Sequence, residues 1–278
     1  MELHEFVIKV RKRTTISIIP FADVHLGTSA CDVDKFKELI KWVKDTPNVY
    51  LIGGGDYVEG INISDYKRFD PDMVASEYKD VLGRIVQHQV DDMVNILKPV
   101  RDRIIGLSWG NHERTVLSRY HYDVMMSLCG KLDVRCLGWA SITRLKLIRP
   151  HKGGVASQVV HIFMEHGSGG GKKKGGKVNR LEDRSNDFDA DIFIMAHTHD
   201  KIATTKSQLY VPRQGEMSLR ERKRVYCICP SYYNTYRLGD MSYGERSGYS
   251  PTSTGVVRID IIMKHSRTLD YLDYNLYQ

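Results

Sequence analysis

The chain has 278 residues, and 41% of them are hydrophobic. It contains five cysteines and has a formal net charge of +7. This hydrophobic content supports a folded core, and the cysteines form neither a zinc-binding spacing nor a disulfide framework. The first residues lack the regions of a signal peptide, and no apolar run approaches the roughly 18 residues that a membrane span needs. We therefore expect a cytoplasmic protein without a membrane partner, folded as a single domain over residues 1–278. The positive charge has two interpretations, a solvated surface or attraction to polyanions.

The first half of the chain alternates predicted strands and helices. Apolar runs predict strands over residues 5–10, 14–19, 49–52 and 103–108. Helical periodicity predicts helices over residues 32–44, 72–97 and 119–132. Asp32 is placed to cap the first of these helices, and Pro99 to stop the second. Residues 57–71 lack an apolar period and are expected to form a loop.

The second half is richer in strand signals. A hairpin is predicted over residues 141–148 and 155–164, and further strands over residues 191–195, 201–205, 225–229 and 255–262. Residues 167–180 are rich in glycine and lysine and are expected to form a flexible basic loop. Together these patterns predict an α/β protein in which packed sheets have helices outside them.

Metal-ligating residues follow five of the predicted strands. The five blocks are Asp23–His25, Gly54–Asp56, Gly110–Glu113, Glu165–Gly167 and Ala196–His199. Because the ends of strands in one sheet point at one crevice, distant blocks can converge on a single site. Asp, His and Asn without Cys suit hard or borderline divalent ions. Seven ligand groups are too many for one ion, which favours two ions about 3.5–4 Å apart.

The five blocks resemble those of the calcineurin-like metallophosphoesterases. Over roughly residues 15–200 and in the family's order, they read D-x-H, G-D, G-N-H-E, H and a final block in which Ala196 replaces the usual Gly of G-H-x-H. The G-D block lacks the D-R-G ending of the Ser/Thr protein phosphatases, and the core is similar to that of DNA-repair exonucleases. The resemblance implies a four-layer α/β/β/α sandwich of two mixed sheets with flanking helices. It also implies two divalent metal ions as cofactors, with Mn²⁺ first and Fe, Zn²⁺ and Ni²⁺ as alternatives.

The resemblance further implies how the ligands divide between the two ions. One ion is assigned Asp23, His25, Asp56 and His199, and the other is assigned Asp56, Asn111, His166 and His197. Asp56 bridges the pair, and elementary chemistry agrees, since a carboxylate has two oxygens and its charge screens the repulsion between cations. Histidines outside the blocks are expected to have structural or surface roles.

His112 is the expected general acid. Its neighbour Asn111 takes the ligand role, which leaves His112 beside the metals, where it would protonate the leaving oxygen. Glu59 is the candidate carboxylate that orients His112, and the alternative is a solvent-exposed loop carboxylate. Glu113 is expected to orient its own loop. The implied nucleophile is a hydroxide that bridges the ions and attacks phosphorus in line.

Two segments supply the candidate substrate-binding residues. In the basic loop they are Lys172, Lys173, Lys174, Lys177 and Arg180. A flexible tip, a phosphate clamp and a nest of backbone N–H groups all stay open for this loop. In the tyrosine-rich region 230–250 the candidates are Tyr236 and Arg237, which would stack bases and hold phosphates. Tyr232 and Tyr233 are instead expected to pack the region onto the sheet.

The predicted protein is a hydrolase, a metal-dependent phosphodiesterase or nuclease that acts on nucleic acid or nucleotides. The basic charge, the lysine-rich loop and the tyrosine-rich region favour such a substrate, and DNA binding is the expected interaction. The first alternative is a phosphomonoesterase or small-nucleotide hydrolase. The second is a non-catalytic nucleic-acid-binding protein, which the full set of ligand residues disfavours. A homo-oligomer is left open.

Overall fold

The computed structural model describes residues 1–11, 14–151, 154–169, 173–215, 217–238, 242–265 and 270–278. Its strands are β1 (Glu2–Lys9), β2 (Thr15–Phe21), β3 (Val49–Gly53), β4 (Ile104–Leu107), β5 (Ala140–His151), β6 (Gly154–Glu165), β7 (Ile192–Met195), β8 (Ile202–Tyr210), β9 (Arg220–Ile228), β10 (Arg258–His265) and β11 (Asp270–Tyr277). Its α-helices are α1 (Val33–Asp45), α2 (Ile85–Leu97), α3 (Asn111–Tyr120), α4 (Val124–Leu132), α5 (Lys174–Asp187) and α6 (Tyr243–Arg246). Short 3₁₀ segments cover Pro71–Met73, Ser76–Arg84 and Lys98–Arg103.

The strands form two mixed sheets. In the described ranges, one sheet has six strands in the order β1-β5-β6-β7-β9-β8, and the other has five in the order β11-β10-β2-β3-β4. Strands β2, β3 and β4 run parallel in the smaller sheet, as do β6, β7 and β9 in the larger one. Antiparallel pairs such as β5–β6 and β10–β11 complete the sheets. The carboxyl ends of parallel strands are where α/β proteins place their binding sites.

Three clusters of buried apolar residues show how the sheets and helices are layered. Ile18 and Ile162 belong to the cluster between the two sheets. Phe36 of α1 belongs to the cluster in which α1, α2 and α4 cover the outer face of the smaller sheet. Leu181 of α5 packs with Phe193 on the outer face of the larger sheet. The order helix, sheet, sheet, helix confirms the predicted α/β/β/α sandwich.

Two predicted helices differ from their sequence patterns. The helix predicted over residues 72–97 becomes α-helical only at Ile85, after Arg84, whose φ is −133°, and the preceding 3₁₀ segment is itself kinked at Val81, whose φ is −124°. The helix predicted over residues 119–132 is interrupted, since His121 ends α3 with a left-handed φ of 52° and Asp123 caps α4. No helix among the described residues is long and apolar enough to cross a membrane.

The basic segment after His166 is partly helical. Because α5 begins at Lys174, the prediction of a loop over residues 167–180 is wrong from Lys174 onward. Glycines in the first turn of α5 disfavour a helix locally, by about 1 kcal/mol each relative to alanine. Burial of Lys177 and Leu181 against the rest of the protein outweighs this cost.

Candidate metal centre

The seven predicted ligands lie just beyond the carboxyl ends of five parallel strands. Asp23 and His25 follow β2, Asp56 follows β3, Asn111 follows β4, His166 follows β6, and His197 and His199 follow β7. The two sheets meet at this point, since His25 Nε2 lies 3.3 Å from His199 Nε2. Residues 174 positions apart in sequence are thus in direct contact.

Five of these ligands have a backbone conformation that L-residues rarely adopt. Eight described non-glycine residues have a positive φ, and they include Asp23 (50°), His25 (51°), Asp56 (53°), His197 (68°) and His199 (53°). A left-handed residue costs on the order of 1–2 kcal/mol, and it persists where its surroundings hold it, commonly at functional sites. Five of the eight residues are predicted ligands, so the strained backbone is concentrated at the site.

Two glycines let the loops after β3 and β4 approach each other. A Cβ atom on Gly55, whose φ is +99°, would lie 2.6 Å from Gly110 Cα. A Cβ atom on Gly110 would lie 2.1 Å from Asp56 Oδ1. Because both glycines lack this atom, the backbone N–H of His112 can donate to Asp56 Oδ1 at 2.9 Å. The N-terminus of α3 therefore holds the Asp56 carboxylate, which is predicted to bridge the two ions.

Glu113 fixes the turn that carries Asp56. Its buried carboxylate accepts hydrogen bonds from the backbone N–H groups of Asp56 (2.9 Å), Tyr57 (2.7 Å) and Gly110 (3.0 Å). Burial and the neighbouring Asp56 charge raise the pKa of Glu113 to about 7. The sequence predicts that Glu113 orients its own loop. The structure shows that it also ties the β3 loop to the β4 loop, so that Asp56 and Asn111 are held as a unit.

Asp23, His25 and His199 form the first ligand cluster, with their ligand atoms within 4.8 Å of one another. His25 Nδ1 donates to Glu59 Oε2 at 3.0 Å, which leaves the Nε2 lone pair facing His199. Asp23 Oδ2 accepts the backbone N–H of His197 at 3.0 Å. Asp23 Oδ1 is buried without a hydrogen-bond partner among the described residues, 3.4 Å from His199 Nε2. A buried carboxylate oxygen without a donor is costly unless a cation compensates it.

Asp56, His166 and His197 form the second ligand cluster, again within 4.8 Å of one another. His166 Nδ1 donates to the Gly54 carbonyl at 2.7 Å. His166 Nε2 consequently faces the site, 3.4 Å from Asp56 Oδ2 and 2.9 Å from Asn111 Oδ1. Asp56 also groups with His25, a member of the first cluster. It therefore lies within reach of both clusters, as a bridging ligand must.

The donor set fits two divalent cations. Carboxylate, amide and imidazole groups are ligands that suit Mn²⁺, Fe and Zn²⁺. Lone-pair atoms 3.3–3.4 Å apart, such as His25 Nε2 and His199 Nε2 or Asp56 Oδ2 and His166 Nε2, repel each other unless protons or cations lie between them. The ligand residues thus form two clusters joined by one carboxylate, which is the arrangement of a two-metal site.

The charged groups of the centre shift one another's pKa values. Burial lowers the pKa of His166, but the charge of Asp56 and their hydrogen bond outweigh burial and raise that pKa to about 10. Burial also lowers the pKa of His112, but the charges of Asp56 and Glu59 outweigh burial and raise this pKa to about 9. In turn His112 and His166 overcome burial and hold the pKa of Asp56 well below its usual range. A cation that binds here must displace protons from histidines.

The structure corrects the predicted role of Glu59. Glu59 Oε2 is 3.9 Å from His112 Nδ1, too far for a hydrogen bond, and instead accepts from His25. His112 Nδ1 donates to the backbone carbonyl of Glu59 at 2.6 Å. The reason is the path of the chain, because the Glu59 N–H bonds the Leu26 carbonyl at 2.9 Å and sets Glu59 beside the His25 loop. Glu59 therefore orients a predicted metal ligand with its carboxylate and His112 with its main chain.

Lys177 does not have the predicted position of a phosphate clamp. Its side chain is buried, and Nζ donates to the Thr198 carbonyl at 3.1 Å and to the carboxylate of Asp200. Thr198 lies between His197 and His199, whose left-handed conformations need support. Lys177 therefore holds the loop that carries two ligands, and its charge is directed at Asp200 rather than at solvent.

Arg180 also contacts the scaffold of the site. It donates to the carbonyl of Ser168, two residues beyond His166. One turn further along α5, Arg184 Nε donates to Glu165 Oε1 at 3.0 Å, directly before His166. The prediction that Arg180 closes over the substrate is thus not supported, because this face of α5 supports the ligand loops. Of the other lysines predicted to bind substrate, Lys173 and Lys174 are exposed, and Lys172 lies outside the described residues.

The tyrosine-rich region borders the centre. Tyr232 is 1% exposed, in agreement with the predicted packing role. Tyr233 is also buried, but its ring centroid lies 5.5 Å from that of His25 and 6.0 Å from that of His199. The sequence gives no signal that separates Tyr233 from its neighbour, because only the fold shows which ring faces the ligands.

The two predicted substrate contacts in this region lie on its surface. Tyr236 is 47% exposed, and its hydroxyl donates to the Tyr249 carbonyl at 2.9 Å. Arg237 is exposed and donates to the Ser29 carbonyl. The exposed Trp139 has its ring 5.7 Å from that of His166, a contact that no sequence motif indicates.

No protein-family model matches the sequence, and no curated protein does. Solved structures with some similarity include vacuolar protein sorting 29 from Cryptosporidium parvum, at 10% identity and a TM-score of 0.38 over 95% of this chain and 98% of that one. Vps29 from Chaetomium thermophilum is 9% identical, with a TM-score of 0.38 over 94% of each chain. NAD nucleotidase from Haemophilus influenzae is 12% identical, with a TM-score of 0.40 over 94% of this chain and 49% of that one. All three TM-scores are below 0.5, so the chemistry of the site rests on its own geometry.

Proposed function

We propose that the protein is a metal-dependent phosphodiesterase with nucleic acid or nucleotides as its substrates. The observation that carries this proposal is the position of Asp56, whose carboxylate lies within reach of both ligand clusters. Two bound divalent ions would activate water and offset the charge of a phosphoryl group. The resemblance of the five sequence blocks to calcineurin-like metallophosphoesterases supports the same chemistry.

His112 is proposed to donate the proton to the leaving oxygen. Its Nδ1 is committed to the Glu59 carbonyl, which leaves Nε2 as the atom that would exchange a proton with substrate. The His112 ring stands edge-on to His25, with 4.6 Å between centroids, so it borders the ligand clusters. His112 also lies within ligand distance of His25 and Asp56, and a ligand role is the alternative.

A polyanionic substrate is favoured by charge and by exposed side chains. The chain carries a net charge of +7, which attracts polyanions at low ionic strength. Lys173 and Lys174 are exposed at the start of α5, close in sequence to His166. Tyr236 and Arg237 are exposed near Tyr233, which contacts the ligand rings. These four residues are the proposed contacts to parts of the substrate beyond the scissile phosphate.

The proposal is tested by a substrate screen of the Mn²⁺-loaded protein. The substrates are bis-p-nitrophenyl phosphate, p-nitrophenyl phosphate, and single- and double-stranded DNA, each between 50 and 200 mM salt. We expect diester cleavage to exceed monoester cleavage, and kcat/KM for DNA to fall steeply with salt. Preference for the monoester with little salt dependence would instead indicate a phosphomonoesterase or small-nucleotide hydrolase. Asp56→Ala, purified identically, is the control for contaminating activity.

A further inference from the structure

We propose that three exposed tyrosines beside the metal centre form a stacking surface for an unpaired nucleobase of the substrate. The surface, here called the tyrosine platform, consists of Tyr236, Tyr243 and Tyr249. The inference rests on the proposed function, because it assumes a substrate that carries a base next to the scissile phosphodiester. It adds a recognition site and a preference for unpaired strands.

The platform consists of three aromatic side chains that are about half exposed. Tyr236 is 47% exposed, Tyr243 is 58% exposed and Tyr249 is 54% exposed. Large aromatic side chains normally contribute to stability by burial, and clustered exposed ones mark surfaces that bind something. By contrast, Tyr232 and Tyr233 of the same region are buried, so these two rings pack the region onto the rest of the protein.

The three tyrosines are tied together rather than independent. The rings of Tyr243 and Tyr249 are edge-to-face, with 6.1 Å between centroids. The hydroxyl of Tyr236 donates to the Tyr249 carbonyl at 2.9 Å, and the Tyr249 N–H donates to the Gly244 carbonyl at 2.9 Å. Rings that are positioned in advance lose less conformational entropy when a ligand stacks on them.

A direct chain of contacts joins the platform to the metal centre. The Gly244 N–H donates to the Tyr233 hydroxyl at 3.3 Å, and Gly244 directly follows Tyr243. A Cβ atom on Gly244 would lie 3.4 Å from the Tyr233 ring, so α6 rests closely on that ring. Tyr233 in turn contacts the rings of His25 and His199. Helix α6, which carries Tyr243, is therefore separated from the first ligand cluster by a single residue, Tyr233.

The chemistry of the platform favours a base over a phosphate. Arg246, in the same short helix as Tyr243, pairs with the carboxylate of Asp70. The three platform residues supply aromatic faces and no charge. Stacking on such faces tolerates any sequence, because every base presents a π-face. A paired base in a duplex already stacks on its neighbours, so the platform should favour single-stranded or frayed ends over intact duplex.

The experiment compares ring-deleting with ring-keeping variants. Tyr243→Ala/Tyr249→Ala removes two faces, while Tyr243→Phe/Tyr249→Phe keeps both rings. Tyr210→Ala, which removes a 43% exposed ring at the end of β8, is the matched control. The binding of a short fluorescent single-stranded oligonucleotide and the KM for its cleavage are measured. An oligonucleotide with one abasic position beside the cleaved bond is measured in parallel.

We expect the alanine pair to weaken binding and raise KM about 5- to 150-fold for the intact oligonucleotide, the range equivalent to about 1–3 kcal/mol. The abasic substrate should bind the parent as weakly as the intact substrate binds the alanine pair. The phenylalanine pair and Tyr210→Ala should match the parent. Turnover of bis-p-nitrophenyl phosphate should be unchanged in every variant, because this small diester carries no nucleobase.

Two outcomes separate this inference from the proposed function. If the parent binds the oligonucleotide through the tyrosines but hydrolyses no phosphoester, the platform is supported and the proposed hydrolase is not. If the alanine pair binds and cleaves intact and abasic strands as the parent does, the platform is overturned, while cleavage by the parent still supports the hydrolase. Failure of the parent to bind single strands would also overturn the platform.

Discussion

The ligand residues of the centre can be predicted from the sequence, because residues of metal-ligating type stand directly after apolar strands. Each lies where an apolar strand ends, so residue type together with strand position marks them as candidate ligands. The side-chain partners do not follow in the same way. Glu59 is three residues from Asp56, but whether it meets His112 or His25 depends on the bond between its backbone N–H and the Leu26 carbonyl.

His112→Ala distinguishes a general acid from a metal ligand. If His112 donates a proton, the variant keeps its metals and loses about 10²–10⁴-fold in turnover of DNA, whose leaving group is poor. The loss on bis-p-nitrophenyl phosphate should be smaller, because nitrophenolate needs no proton. Elemental analysis and kinetics check both parts, with His88→Ala, a change at an exposed histidine of α2, as the control. Loss of an ion together with equal loss on both substrates would assign His112 to the metals.

Metal binding is expected to release protons. His166 has a pKa of about 10, so in metal-depleted protein it is protonated below that pH, whereas a ligand nitrogen must be neutral. Metal affinity should therefore rise as pH increases from 7 to 9. Calorimetric titration of Mn²⁺ in buffers of different ionisation enthalpy at pH 8 should show about one proton released per chain or more. Heats that are independent of the buffer would contradict this charge balance.

Helix α5 shows where a pattern of residues misleads about an element. The glycines and lysines of its first turns are typical of a mobile loop, and the same lysines suggest a substrate clamp. In the structure, Leu181 buries the helix against the larger sheet, and Lys177 and Arg180 contact the loops that carry the ligands. Tertiary packing determines that this segment is helical and which groups its charged side chains contact, and the local sequence does not predict either. By contrast, the buried strands β2, β3 and β7 are predicted because their apolar runs report burial directly, whereas the exposed second half of β8 and the edge strand β11 have no predicted counterpart.

Lys177→Met tests whether α5 positions the ligand loop. The change keeps the apolar stem but removes the bonds to the Thr198 carbonyl and to Asp200. We expect affinity for Mn²⁺ to fall about 10- to 100-fold, as is typical when a group that orients a ligand is lost. Lys177→Arg should restore part of it.

The control for this prediction is Lys174→Met, an exposed position on the same helix, which should bind Mn²⁺ as the parent does. Circular dichroism and thermal unfolding of both variants separate a positioning effect from general loss of structure. Unchanged metal affinity in Lys177→Met, with the fold intact, would show that α5 is not needed to position His197 and His199.

At the scale of the whole molecule, the fold brings residues from two separate halves of the sequence to one candidate metal centre. The smaller sheet supplies Asp23, His25, Asp56 and Asn111 from the first half of the chain, and the larger sheet supplies His166, His197 and His199 from the second. The interface between the sheets is a continuous apolar cluster, so the relative position of the two ligand sets is fixed by packing. This arrangement follows from the sequence only through the family resemblance, because periodicity alone does not specify how two sheets face each other.

The number of metal ions in the parent and in Asp56→Ala tests this arrangement most directly. Protein loaded with Mn²⁺ and freed of excess ion should contain about two ions per chain by elemental analysis, with magnetic coupling between them, because one carboxylate joins the clusters. Asp56→Ala should lose both ions while keeping its circular dichroism spectrum. One ion per chain in the parent, or a tightly bound ion that persists in Asp56→Ala, would contradict a two-metal centre bridged by Asp56.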